Sequence, residues 1–153
     1  DAVIPAFRGF VERAGVPLLN VALDCTTATP TLALKQQRFS VAGATPSAEG
    51  ERWAFPACFE YGDGAKGRQT CARVRDTTQR VPLDTRACPQ WVVANRTGLG
   101  YYLPRLTPAL YAALPKAEKV LSEADFAALM GDVDMLARNG LVGYPDALPL
   151  AAR

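Results

Sequence analysis

"WAFPACFEYGDGAKGRQTCARVRD", residues 53–76, decides how this chain folds. Apolar and aromatic side chains recur at every second position from Trp53 to Tyr61. A glycine-rich stretch, Gly62 to Gly67, follows, and then a second alternating run. A period of two belongs to a strand, so the segment reads as two antiparallel strands around a Gly-rich loop. Pairing Gly62 with Gly67 fixes the register and places Cys58 directly opposite Cys71. Facing residues of an antiparallel pair have Cα atoms about 4.5–5.5 Å apart, which suits a disulfide. The same register sets Phe55 against Val74 and Ala57 against Ala72 on an apolar face. Cys58–Cys71, Pro56–Arg73 and Glu60–Gln69 fall on the other, polar face. A Cys58–Cys71 bridge is the expectation.

The other two cysteines, Cys25 and Cys88, are left for each other, although nothing local positions them. Four reduced, buried thiols are the alternative. Zinc sites of four cysteines draw their ligands as close pairs, and the wide spacing here argues against metal. Two bridges imply an oxidising compartment, periplasmic or extracellular. "GDGAKG" (62–67) also fits G-x-G-x-x-G, but that fingerprint must open a helix, and here a strand follows. It is a hairpin loop. Asn95-Arg96-Thr97 fits the glycosylation triplet, a weak pointer to the surface.

Outward from the hairpin the strand period continues. "LLNVALD" (18–24) and "TLALKQQRFSV" (31–41) precede it, the latter with Leu32, Leu34 and Gln36 on one side. Phe39 and Val41 have the opposite parity, which predicts a bulge or twist near Gln37. Trp53, Phe55, Ala57, Phe59 and Tyr61 form an aromatic stripe, expected as core and not as a ligand platform. Runs at 70–76, 78–84, 90–95 and 100–106 complete about seven short strands. Pro56 and Pro82 belong on edge strands or at bulges. The pattern predicts a mainly β fold, an immunoglobulin/fibronectin-like β-sandwich flanked by an N-terminal helix and C-terminal helices.

The flanks change to a helical period. In "IPAFRGFVERA" (4–14), Ile4, Phe7 and Val11 share a face and Gly15 is a stop. So short a helix is marginal alone and must dock on something. "PALYAALP" (108–115) is a short helix. Ser122 with Asp125 opens another in capping-box fashion. Phe126, Leu129, Met130, Val133, Leu136 and Ala137 share its apolar face, and Asn139-Gly140 closes it. Asp132 and Asp134 read as its solvated face. The tail "LVGYPDALPLAAR" (141–153) holds no convincing element. A helical zone ending with so exposed an apolar face reads as truncated.

The chain has 153 residues, 49% of them hydrophobic and 21% charged, enough for one domain or a domain with an appendage. About 68–70% of the unfolded surface can be buried at this size, so a core needs no metal. A net charge of +2 without a Lys/Arg cluster argues against nucleic acid. No apolar run approaches the ~20 residues of a spanning helix, so no membrane insertion is expected of this segment. Histidine is absent. That excludes Ser-His and Cys-His nucleophile pairs and His-containing zinc sites. No spacing singles out a carboxylate pair or a Ser-Lys pair. No catalytic, cofactor-binding or metal-ligating residue is therefore assigned, and the chain alone is not expected to be an enzyme. Asp1 follows no initiator Met, charged n-region or apolar h-region, so the chain reads as an excised or processed piece with any targeting signal upstream.

The order of a helix, a sandwich and the opening of a helical array resembles the region that follows the catalytic domain in M1-family zinc aminopeptidases. "FVERAGVPLLNV" resembles the family's helix end, G-x-P and first strand. Gln36, Arg38 and Phe39 match its Q-x-R-F, and Trp53 and Pro56 its W-x-(I/F)-P. Trp91, Asn95, Gly100, Tyr101 and Tyr102 of "WVVANRTGLGYYLPRL" match W-x-x-x-N…G-Y-Y. "LSEADFAALMGDVDMLARNG" is similar to its L-S-x-x-D-(R)-A…D-x-x-x-L-A-x-x-G helix. The chain departs from the pattern at Leu103-Pro104 and at Phe126, where the family has arginine. The resemblance implies residues 1–15 as the end of a catalytic domain, 16–106 as the β-sandwich and 107–153 as the start of a C-terminal helical domain. It implies a non-catalytic brace whose partners are the catalytic and helical domains of the same parent. Zinc and the H-E-x-x-H motif would lie upstream, and Asn95, Gly100, Tyr101 and Tyr102 would form the interdomain joint. A free-standing secreted sandwich that binds protein or carbohydrate is the alternative, and a Ser- or carboxylate-based hydrolase a further one.

Overall fold

A computed structural model describes residues 3–44 and 51–146. Among them it forms α1 (Val3–Glu12), β1 (Pro17–Asp24), β2 (Thr31–Arg38), β3 (Phe55–Asp63), β4 (Lys66–Val74), β5 (Thr78–Pro82), β6 (Trp91–Ala94), β7 (Leu103–Leu106), α2 (Pro108–Ala113) and α3 (Glu123–Arg138). Residues 147–153, part of the tail and of the expected 107–153 unit, lie outside the described residues, as do Asp1 and Ala2 of the 1–15 unit. The strands make two sheets, β5-β2-β1-β7 and β4-β3-β6. Leu19, Val21, Leu32, Leu34 and Val81 from the first meet Phe55, Ala57, Phe59, Tyr61, Val74 and Val92 from the second in one core cluster. The fold is a mainly β, sandwich-like pair of sheets with helices at both ends.

The hairpin takes the register its alternation dictates, with Cys58 on Cys71, Phe55 on Val74 and Glu60 on Gln69. It is tighter than expected. The ladder runs through Gly62–Gly67 to Asp63–Lys66, leaving only Gly64 and Ala65 as the turn. Gly64 has φ 54°, which a two-residue hairpin demands of its first turn position. Gly62 and Gly67 serve a different end. A Cβ on Gly62 would stand 2.7 Å from the Trp91 ring, and one on Gly67 3.1 Å from it. The bare backbone lets Trp91 lie flat on the hairpin, where its Nε1 donates to Gly64 O at 3.0 Å.

Four expectations need correction. The β1–β2 register runs unbroken from Pro17–Arg38 to Asp24–Thr31, so there is no bulge near Gln37. The parity changes because the strand ends at Arg38, leaving Val41 56% exposed. Pro56 sits on the central strand of its sheet, not on an edge; it is tolerated because β6 pairs β3 only over Phe59–Gly62. Pro82 does end an edge strand, β5. Ile4, Phe7 and Val11 of α1, expected to dock, are 60%, 70% and 70% exposed. The helix leans on the sandwich through its flank instead, with the Phe10 ring 5.4 Å from Tyr101 and 6.4 Å from Phe55. The apolar face of α3, expected to be bare, is covered within the chain. Leu129 and Val133 join the main core, and Leu136 packs on Leu18 and Leu103.

That packing follows from the topology. β7 pairs with β1, and in parallel, so β6 and β7 are edge strands of different sheets. α2 packs against both, the 3-10 turn Leu114–Ala117 against β6 and α3 against β7. The opening of α3 is the capping box expected of it, with the Ser122 hydroxyl accepting from Asp125 N and the Asp125 carboxylate accepting from Ser122 N. The closing Gly140 has φ 69°.

Both disulfides are formed, Cys58–Cys71 within the hairpin and Cys25–Cys88 between the ends of the first and second sheets. The Cys58 pair has a Cα separation of 4.0 Å. By parity from the two-residue turn it is a non-hydrogen-bonded pair, and Cys58 O accepts instead from Asn95 N. Bonds of this kind persist in oxidising compartments. The loops they close differ, with separations of 63 and 13 residues. Replacing Cys25 and Cys88 by Ser is expected to lower stability by about 4 kcal/mol, and Cys58 and Cys71 by about 3 kcal/mol. Urea unfolding of the two double variants checks that order.

Candidate functional site at the bend after the sixth strand

The bend that leaves β6 is held in a costly backbone shape. Asn95 (φ 53°, ψ 49°) and Thr97 (φ 55°) both lie in the left-handed region. Asn tolerates that region better than most residues, because its short amide bonds locally. Here Asn95 Oδ1 accepts from Gly100 N at 2.7 Å, while Nδ2 donates to Gly100 O at 3.1 Å and to Tyr102 O at 3.2 Å. Asn95 as a whole is 8% exposed. The glycosylation triplet is thus not a surface feature, since its amide is buried and engaged. Gly100 is required beside it: a Cβ there would fall 2.3 Å from the Tyr102 ring.

The two tyrosines part company. Tyr102 turns inward, its ring 5.1 Å from Phe55, and burial pushes its phenol above the usual tyrosine range. Its hydroxyl has no hydrogen-bond partner among the described residues. Tyr101 is 64% exposed and meets Phe10 of α1 edge-on. Of the four expected joint residues, Asn95, Gly100 and Tyr102 come together, and Tyr101 links the bend to the N-terminal helix.

Arg96 is the residue the sequence did not single out. Its Nη1 pairs with Glu60 on β3, its Nε and Nη2 grip Asp125 at 3.1 and 2.6 Å, and Nη2 also donates to Val120 O at 3.3 Å. The Asp125 side chain is fully buried. Besides the arginine fork it accepts from Thr97 N at 3.1 Å and from the Ser122 hydroxyl at 2.7 Å. The hydrogen bonds from Arg96 hold the Asp125 carboxyl well below the usual range, and Asp125 in turn raises the guanidinium. One arginine therefore ties sheet, bend and α3 together. Only the capping-box spacing hinted at Asp125; nothing local tied it to Arg96 or Glu60.

Asp132 departs from its expected place on a solvated face. It is half-buried, and desolvation lifts its pKa to about 7. Asp134 is exposed and paired with Arg138 at 2.8 Å.

The chemistry open to these groups is limited. All four cysteines are spent in disulfides, and the chain has no histidine, so neither a free thiolate nor an imidazole is present as a zinc donor. No cluster of three or more Cys, Asp or Glu side chains able to hold a metal ion occurs among the described residues. No helix among them is long and apolar enough to cross a membrane. What the fold and the bend define is a disulfide-stapled β-sandwich locked to a helical layer by one partly buried ion triad centred on Asp125. No protein-family model matches the chain, and no curated protein shows significant similarity to it.

Arg96→Ala leaves two carboxylates without their shared partner and is expected to cost about 2–4 kcal/mol in urea unfolding. Asp132 gives a prediction of opposite sense. Its folded pKa lies above the roughly 3.9 of an unfolded aspartate, so the folded state holds the extra proton and stability falls as pH rises from about 4 to about 7. Asp132→Asn is expected to gain about 1–2 kcal/mol at pH 8, allowing for the water that reaches this half-buried group, and little at pH 4.

Proposed function

We propose that this chain is a non-catalytic brace, the β-sandwich and the opening of the helical domain of an M1-family zinc aminopeptidase whose parent removes N-terminal residues from peptides. The observation that carries the reading is the use made of the bend. Asn95, Arg96 and Asp125 spend their polar atoms on each other and on the backbone around them, holding sandwich and helices in one orientation. A ligand site would keep such groups free. On this reading, residues 1–15 end the catalytic domain, 16–106 form the sandwich and 107–153 begin the helical domain. The exposed face of Ile4, Phe7 and Val11 is then the seat of the catalytic domain. The parent's zinc would be held by that domain, and no step of its chemistry passes through this chain.

The immunoglobulin/fibronectin-like character of the sandwich belongs to the same proposal. Antiparallel pairing of β2 with β5 and of β3 with β6 supports it, while the parallel pairing of β7 with β1 is a departure. Two disulfides support a periplasmic or extracellular setting.

The test is made in the longer protein. Its reading frame should encode an H-E-x-x-H helix upstream of Asp1, and its absence would reject the proposal. Phe7→Glu with Val11→Glu should change the stability of residues 1–153 alone by less than about 0.5 kcal/mol, as exposed sites do. In the longer protein the same pair should lower the unfolding temperature by several degrees and loosen the two domains. Hydrolysis of aminoacyl reporters by the purified chain alone would overturn the brace.

A further inference from the structure

The outer face of the β5-β2-β1-β7 sheet carries a hollow whose shape follows from side-chain length. The sheet register sets Ala22 against Ala33 and Asn20 against Lys35. Asn20 also faces Arg105, and Ala33 faces Arg80. Two alanines and an asparagine make a low floor at the centre of the sheet, and the long side chains of Lys35, Arg80 and Arg105 stand around it. The result is an open depression of about 710 Å³. Its floor is fixed by three strand ladders, and Thr107 and Pro108 at the start of α2 add to its wall.

Its charge is one-sided. Arg80 is partly neutralised, donating to Asp24 Oδ2 and Thr31 Oγ1 at 2.6 and 3.2 Å. Lys35 and Arg105 have no ion-pair partner among the described residues. They lie on β2 and β7, two strand spacings apart, hence roughly 10 Å between backbones. A hollow with two cations on its rim that find no ion-pair partner among the described residues, and methyl groups on its floor, suits a ligand with both carboxylates and aliphatic stems. Lys35 and Arg105 both face Asn20 and so stand in one row across the sheet, with Ala22 and Ala33 in the next row, about 6.8 Å along the strands. We propose that this face binds an extended acidic peptide segment, with Lys35 and Arg105 pairing its carboxylates and Ala22 and Ala33 receiving their methylene stems.

The assignment goes beyond the brace and does not depend on it, since it rests only on the outer sheet face. Fluorescence anisotropy on residues 1–153 tests it, with a labelled ten-residue Glu/Ala peptide and its Gln/Ala counterpart as probes. The acidic probe should bind saturably and weaken as salt rises from about 20 to 300 mM, and the neutral one should not bind. Lys35→Glu with Arg105→Glu should weaken the acidic probe about tenfold or more, at unchanged circular dichroism. Lys66→Glu with Lys116→Glu, which changes net charge equally outside the hollow, should leave binding within about twofold. Equal binding of the two probes, no saturation, or an unaffected charge-reversed variant would overturn the proposal. So would a ten-residue oligothymidylate that binds more tightly than the acidic peptide.

Discussion

The forked contact of Arg96 with Glu60 and Asp125 is the constraint on which the arrangement of the whole chain rests. A buried carboxylate without a partner is expensive, so Asp125 can be buried only where the arginine meets it. The arginine reaches it only because Asn95 and Thr97 adopt left-handed shapes that swing the backbone round after β6. Asn95 in turn keeps that shape through bonds to Gly100 and Tyr102, and these need a glycine at position 100. The chain of dependence runs from one φ angle to the seating of a helix. The same Asp125 caps that helix, so docking α3 and starting it are one event.

The second constraint is the flatness of the 62–67 backbone. Trp91 is fully buried yet lies on the outer side of its sheet, opposite Gly62. It can be sheltered there only because neither Gly62 nor Gly67 carries a Cβ. The glycines that looked like loop formers are mostly ladder residues under an indole. Gln36 plays a comparable part across the core, donating to Trp53 O and Asp76 O and accepting from Trp53 N. It supplies a ladder's worth of bonds to a stretch that belongs to no strand. This explains why a polar residue shares the face of Leu32 and Leu34.

What was legible in the sequence was what depends on near neighbours. The hairpin register, the Cys58–Cys71 bridge, the aromatic stripe and the capping box each follow from spacings of a few residues, and each is found in the structure. What was not legible depends on partners far along the chain. Alternation shows that 103–106 is extended but not that it lies parallel to β1 in the other sheet. Parity at Phe39 and Val41 suggested a bulge because a strand end and a bulge produce the same local pattern. The triad failed to announce itself because Glu60, Arg96 and Asp125 each look like ordinary surface charges. Elimination alone pairs Cys25 with Cys88 in the sequence, and the fold supplies the missing reason: the two strand ends meet, with Cα atoms 5.6 Å apart.

The distribution of polar and apolar contacts also bears on the proposed brace. An apolar seam alone would hold sandwich and helices together while allowing sliding, because dispersion and burial are non-directional. A forked arginine between two carboxylates is directional, since its donors must point at fixed oxygens. Charge burial is a poor source of net stability but a good means of fixing one orientation out of several of similar packing. The apolar face of α1 has the opposite character: Ile4, Phe7 and Val11 lie exposed. A segment that holds one neighbour by directional bonds and offers another an adaptable greasy face is suited to set geometry at its helical end and supply adhesion at the other. For a part whose task is to keep a separate catalytic unit in register, that division of roles is the physically economical one.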